Sequence, residues 1–494
     1  MSRYRALPSE RQKWFAGVRL AAPFLLLLSG CTIGKSSDKL RAGALPPSYD
    51  TDLQPEGQIP RNAICWRHLV TDDIARSVTQ ALAHSDDVAV ASARLDQAEG
   101  LLRQRLQQNR PGLETTAGTS INRTTTGATA AGALLERLYP EISKDIGIPN
   151  TASYPLYETR LTMTEFEVDL WGKLRNLTAA ARNRVLAEAW NRKAIELALL
   201  RELIGLHVRL AEISAQREAT LTLRSLTAEQ SRISEQRERI GLENGVEVFT
   251  REDRLHTLDS TLAQLSLEEA TLRHALDALS GGTASTAIQP NFAQFAGAYR
   301  LDAGLPSTLL LQRPDILSAE YRVRAAQGDV GAARAMLFPT IRLTGLFGFA
   351  STELDSLFSG NAMLATAGGV LDLPIFDLAK RRANVRLNQA KAAEAFALYR
   401  KAVRGAFRDV SDALAARRWY DTQLQAGDRR IGALAQVERL SRTREAAGLD
   451  DGRATIAAKQ DLIAAQAQQS ALRAREIETS LQVYVSVGGP IQCS

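Results

Sequence analysis

An internal repeat limits the folds open to this chain more than any other feature. Arg237-Glu238-Arg239-Ile240-Gly241-Leu242-Glu243-Asn244-Gly245 lies over Arg444-Glu445-Ala446-Ala447-Gly448-Leu449-Asp450-Asp451-Gly452, and the match runs ungapped to Gly281-Gly282 over Gly488-Gly489. Upstream, Leu82, Asp87, Ala91, Ala98 and Pro111 fall over Leu310, Asp315, Ala319, Ala326 and Pro339 at a slightly larger offset, as a longer loop in the first copy requires. One structural unit is therefore used twice. The copies are placed at 67–282 and 306–489, with a linker at 283–305 and a tail at 490–494.

Proline placement says what each unit contains. No proline lies between Pro60 and Pro111, Pro155 and Pro290, or Pro374 and Pro490, and an interior proline costs a helix about 3 kcal/mol. Long helices are predicted for about 173–240 and 380–447, each about 100 Å long at 1.5 Å per residue. Partner helices about half as long are placed at 72–109 and 246–279, so that two short helices stack against one long one. Leu199, Leu203, Leu206, Leu210 and Ile213 step by four and three, as in a coiled-coil seam. Only about 6% of residues are aromatic, which suits long helices packed through small side chains better than one large core.

Four strands complete the two units. Ile341, Leu343, Phe347 and Phe349 alternate with Thr340, Arg342, Thr344 and Gly348, giving one apolar and one polar or small face. Strands are expected at about 112–123, 158–168, 339–350 and 362–375; the second changes face near Glu165. Four strands cannot close a membrane barrel, because open edges are not tolerated in lipid. Three copies would supply twelve strands.

The N-terminus reads as an export signal. Basic residues from Arg3 to Arg19 precede a short apolar run, Leu20 to Leu28, and then Leu28-Ser29-Gly30-Cys31. The run is shorter than the roughly 20 residues a membrane helix needs, so residues 1–30 are taken as a lipoprotein signal peptide, Cys31 as the lipidated residue and 31–66 as a lipidated linker. Five of the basic groups fall in the signal, so the formal charge of +6 shrinks on processing and offers no case for nucleic acid. Cys65 and Cys493 either pair in an oxidising compartment or stay as two thiols.

At this point the chain resembles the outer-membrane factor (TolC/OprM-like) family, in particular its lipidated, NodT-like branch. The marks are Phe166-Glu167-Val168-Asp169-Leu170-Trp171-Gly172-Lys173, Leu305-Pro306-Ser307 with Arg313-Pro314-Asp315-Ile316, Gly331-Ala332-Ala333-Arg334-Ala335 with Phe338-Pro339, and Leu373-Pro374-Ile375-Phe376-Asp377. Asp169 and Asp377 suit the N-caps of the long helices. The resemblance implies a mainly α fold with a β membrane portion: a periplasmic α-helical barrel carrying a trimeric twelve-stranded outer-membrane β-barrel. It implies a homotrimer in outer-membrane lipid that passively conducts drugs or other toxic compounds from a periplasmic adaptor and an inner-membrane pump, with the RND type favoured. The linker would lie at the equator of the helical barrel.

The resemblance also places functional residues. Arg237, Gly241, Arg444 and Gly448 match the adaptor-contact tip. Gates in the family use aspartates at positions that align here with Ala454 and Ala457, so this chain departs from the pattern. The gate is expected instead from Glu247, Asp450, Asp451 and Arg453, although a solvated charged turn explains the same residues. The first loop, about Arg123 to Tyr157, with Tyr139, Tyr154 and Tyr157, is expected over the barrel mouth.

Enzyme chemistry finds no support. The five histidines are scattered without ligand or triad spacing, and no phosphate loop, dinucleotide fingerprint or zinc motif occurs. No metal and no cofactor beyond the lipid on Cys31 is expected. The alternatives are a lipidated periplasmic adaptor, which does not explain the duplicated strand pair, and a structural coiled-coil lipoprotein, which leaves the amphipathic strands unexplained.

Overall fold

Left-handed glycines mark where each helix of the duplicated unit turns. A computed structural model describes residues 65–125, 151–282, 291–295, 312–486 and 488–489, all within the unit Leu45–Ser494. The first copy runs α1 (Asp72–His84), α2 (Asp86–Gln108), β1 (Leu113–Thr125), β2 (Thr151–Val168), α3 (Lys173–Arg239) and α4 (Gly245–Leu279). The second runs α5 (Pro314–Ala335), β3 (Thr340–Ser351), β4 (Met363–Asp372), α6 (Leu378–Ala446) and α7 (Arg453–Ser486).

Helices and strands follow one another in the same order across the molecule. The sheet is antiparallel, in the order β1-β2-β3-β4. In the helical part, α3 packs between α2 with α4 on one flank and α5 with α7 on the other, and α6 lies beyond α5 and α7. Each column of helix therefore continues one strand: β1 with α2 and α4, β2 with α3, β3 with α5 and α7, β4 with α6. Among the described residues, the first and last columns each have a free flank, as do β1 and β4.

The short helices meet end to end through the paired glycines of the repeat. Gly281 and Gly488 have φ of 62° and 72°. A side chain on Gly281 would come within 2.9 Å of the His84 carbonyl oxygen, and Gly488 abuts Arg313, whose guanidinium donates to the Ser486 carbonyl at 3.2 Å. Glycine is needed here for both conformation and room. Beside the first joint lies the main core, where Trp66, Ile74 and Val78 pack against Leu200, Leu203, Ile204 and Val208. Leu199, Leu203, Leu210 and Ile213 of the predicted seam are buried in α3.

Several boundaries differ from expectation. The helix expected at 72–109 is two helices, broken at the buried Ser85, which is the C-cap of one and the N-cap of the next. Strand β2 begins at Thr151, so Tyr154 and Tyr157 belong to the sheet and not to the first loop; Pro155 sits within it, opposite Ile121. Tyr139 lies outside the described residues. The N-cap of α3 is Gly172, at φ 78°, and not Asp169. Asp169 still satisfies the helix start from three residues upstream, accepting from the amides of Leu174 (3.1 Å) and Arg175 (2.9 Å). Asp377 occupies the N-cap of α6 but makes no capping hydrogen bond.

The change of face near Glu165 is a β-bulge. Met163 pairs with Gly345 and Phe166 with Leu343, so two residues of β2 stand opposite one of β3. The extra residue returns Phe166 and Val168 to the face of Leu161 and Met163. One face then carries Leu161, Met163, Phe166, Leu343, Phe347 and Leu371. The other carries Glu158, Arg160, Glu167, Arg342 and Asp372.

Candidate functional site

The turns between α3 and α4 and between α6 and α7 are built alike. Gly241 and Gly448 follow the helix ends at φ 73° and 70°. In the first turn Gly241 donates to Glu238 and Leu242 to Arg237; in the second Gly448 donates to Glu445 and Leu449 to Arg444, at 2.8–2.9 Å. These are Schellman caps, which need a left-handed residue at that position. Asn244 then starts α4 by accepting from the Glu247 amide at 3.3 Å. The turns leave Ile240, Leu242, Val246, Phe249 and Leu449 largely exposed.

Ion pairs join the two turns. Arg237 of α3 lies 3.5 Å from Glu243 in its own turn and 3.3 Å from Asp451 in the other. Arg453 pairs with Asp451 at 2.9 Å and reaches Glu243 at 4.0 Å. The Glu243 side chain is 8% exposed, which makes it the most enclosed charge of the group. Ser234 donates to Glu243 at 3.3 Å and accepts from Arg251 at 2.7 Å, and Arg251 lies 3.6 Å from Glu247. The carboxyl of Asp451 sits below its ordinary pKa: partial desolvation pushes it up, but hydrogen bonds from the Arg453 amide and guanidinium, with the charges of Arg453 and Arg237, outweigh that.

Of the residues singled out in sequence, Glu247, Asp451 and Arg453 thus belong to one network, with Arg237 at its centre. Asp450 pairs with Arg444 at 2.7 Å to one side. Glu243 was not among the expected gate residues, although its place in the repeat opposite Asp450 marked it as an acid of the turn. Cys31 and Cys493 lie outside the described residues; Cys65 is disulfide-bonded. Of the scattered histidines, His207 is buried, its Nδ1 2.8 Å from the Leu203 carbonyl oxygen.

Among the described residues, a sheet with one apolar face and two unpaired edges, continued by a helical layer with two free flanks, defines a class: channel subunits that cross a membrane by sharing strands with their copies. No described helix is long and apolar enough to cross a membrane itself. The chain belongs to the outer membrane efflux protein family, which matches residues 78–282 and 305–489. It is similar to the toluene efflux pump outer membrane protein TtgF of Pseudomonas putida, 29% identical over 465 residues, 93% of this chain and 91% of the relative. It is 26% identical to the probable outer membrane lipoprotein SilC of Salmonella typhimurium, over 95% of this chain and 98% of the relative. The fold matches the open-state outer membrane channel MtrE of Neisseria gonorrhoeae with a TM-score of 0.75 at 22% identity, covering 91% of this chain and 96% of that one. The chain is an outer-membrane channel component of a tripartite efflux system, a transporter part that works with an adaptor and an inner-membrane pump.

Proposed function

We propose that three copies close one twelve-stranded barrel, with the apolar face toward lipid and the polar face toward a lumen that continues through the helices. The four-stranded sheet with free edges at β1 and β4 carries this reading, because each edge would otherwise leave backbone amides and carbonyls unpaired in hydrocarbon. The duct is passive and performs no enzymatic step. Cys31 carries the lipid that tethers the chain to the outer membrane, as the run Leu28-Ser29-Gly30-Cys31 suggests and as the name of SilC supports. No other cofactor takes part. The solutes are drugs or other toxic small molecules, in keeping with the toluene efflux named for TtgF, and the pump is of the RND type.

The turns face the adaptor. Arg237, Gly241, Arg444 and Gly448 present the contact tip, with exposed Leu242 and Leu449 supplying apolar area beside it. The network of Glu247, Asp451 and Arg453, extended by Arg237 and Glu243 and flanked by Asp450, is the gate: it holds the two turns of one chain together and breaks when the entrance widens. Detergent-extracted protein that runs as a heat-resistant trimer and conducts in planar bilayers is the expected result for the duct; a monomer without conductance would overturn it. For the gate, Arg237→Ala and Arg453→Ala raise single-channel conductance or open time, and Glu247→Ala does so less. Unchanged conductance in all three removes the gate.

A further inference from the structure

The sheet segregates its charge. By register, Glu114, Glu158, Arg160, Glu167, Arg342 and Asp372 all lie on the face opposite Leu161, Phe347 and Leu371. Among the described charged residues of the strands, only Arg123, at the loop end of β1, falls on the apolar face. Glu165, in the bulge, reaches the polar face by its contact with Arg342.

That contact belongs to a tier at the helical end of the sheet, on β2, β3 and β4. Arg342 on β3 sits between carboxylates from both neighbouring strands, 2.8 Å from Glu165 on β2 and 3.8 Å from Asp372 on β4. Its Nε is buried and makes no hydrogen bond, so the guanidinium is held through its terminal nitrogens. Lys173, at the start of α3, pairs with Glu167 at 2.7 Å. Glu114 of β1 pairs with Thr162, level with Leu346, and lies outside this tier. The tier therefore holds three carboxylates, Glu165, Glu167 and Asp372, against two cations, Arg342 and Lys173.

We propose that this tier is a charge-selective ring where the helical tunnel opens into the barrel, and that Arg342 is a specificity-determining residue of the duct. The proposal rests on the trimeric-channel reading. Three copies repeat the excess of carboxylates around the lumen, and a ring of one sign between low-dielectric walls concentrates counter-ions. The solutes it favours are cationic or zwitterionic, and anionic ones are held back. Arg342 moderates the ring, since its loss leaves Lys173 as the tier's one remaining cation. Because a Debye length is about 10 Å at 0.1 M salt and about 30 Å at 0.01 M, the selectivity grows as salt is lowered.

The test is the reversal potential of full-length trimers in a planar bilayer across a potassium chloride gradient, at about 0.1 M and about 0.01 M salt. Arg342→Gln raises the potassium-to-chloride permeability ratio severalfold, more so at the lower salt, and Arg342→Lys brings the ratio back toward the wild-type value. Glu165→Gln lowers the ratio. Conducting Arg342→Gln trimers with the wild-type ratio at both salts overturn the ring, as does an Arg342→Lys ratio equal to that of Arg342→Gln. Where Arg342→Gln yields no heat-resistant trimer, Glu165→Gln decides: a lowered ratio supports the ring and an unchanged one overturns it. Wild-type protein that never conducts overturns the channel itself, a failure separable from these.

Discussion

Burial costs the imidazolium form of His207 more than the hydrogen bond to the Leu203 carbonyl returns, so its pKa lies below the ordinary 6.5. The ring lies 1% exposed between α1 and α3, with Ser77 Oγ 3.5 Å from Nε2. For a group whose folded pKa is depressed, the unfolded chain binds more protons in the window between the folded pKa and 6.5, so stability is full above that window and is lost as pH falls through it. The trimer dissociation temperature is therefore expected to fall on acidification below about pH 6.5, and His207→Gln to flatten that fall; equal slopes for the two proteins would exclude this histidine as the cause. At the tips, Gly241→Ala and Gly448→Ala force alanine to φ near 70°, a cost of about 1–2 kcal/mol each. Both lower the dissociation temperature, whereas Gly432→Ala, in mid-helix with no heavy atom within 4 Å of the added carbon, does not. Sequence spacing was enough to find these glycines. It did not find Glu243 as the enclosed acid, because enclosure comes from Arg237 and Arg453 arriving from separate helices.

Between elements, α5 lies close against the start of α3. A carbon added to Gly331 would lie 2.8 Å from Asn176 Cγ, and one on Gly328 3.0 Å from the Asn176 carbonyl oxygen and from Ala180 Cβ. Gly331→Val overpacks this contact and is expected to cost about 1–3 kcal/mol, read as a lower dissociation temperature; an unchanged temperature would mean that the helices part freely. Asp169→Ala removes the acceptor for two amides at the start of α3 and is expected to cost about 0.5–2 kcal/mol. The long helices were legible to within two residues of their ends, because proline gaps and glycine turns act locally. The break at Ser85 was not, since serine serves a helix interior or a cap according to what packs on it, here the joint near Gly281. The bulge after Met163 showed in the sequence as a change of face near Glu165; which residue is the extra one is visible only against the strand it pairs with.

Across the whole molecule the seam of α3 changes character along its length. Near the joint it buries Leu197, Leu200, Leu203, Ile204 and Val208, whereas toward the turns it buries Thr220, Thr227, Ser231 and Ser234. In that second stretch Gln460 of α7 donates to Thr227 at 3.1 Å, and Arg251 of α4 donates to Ser234 and Gln230. Helices held through hydroxyls and ion pairs separate at less cost than helices sharing apolar area, because water replaces the lost hydrogen bonds. The fold is thus anchored at its joint and loosest where the ionic network lies. Amide hydrogen exchange of the trimer is expected to be slowest in α3 around 197–213 and to quicken beyond 220. Raising salt to about 1 M shortens the screening length to about 3 Å, and the side chains of Asp451 and Arg453 are 44% and 40% exposed. Salt therefore speeds exchange in the two turns and leaves the joint unchanged, while Arg453→Ala reproduces the effect at the turns without added salt. Exchange that is uniform along α3, or that salt alters equally at joint and turns, would show that the entrance is no looser than the rest of the helical layer.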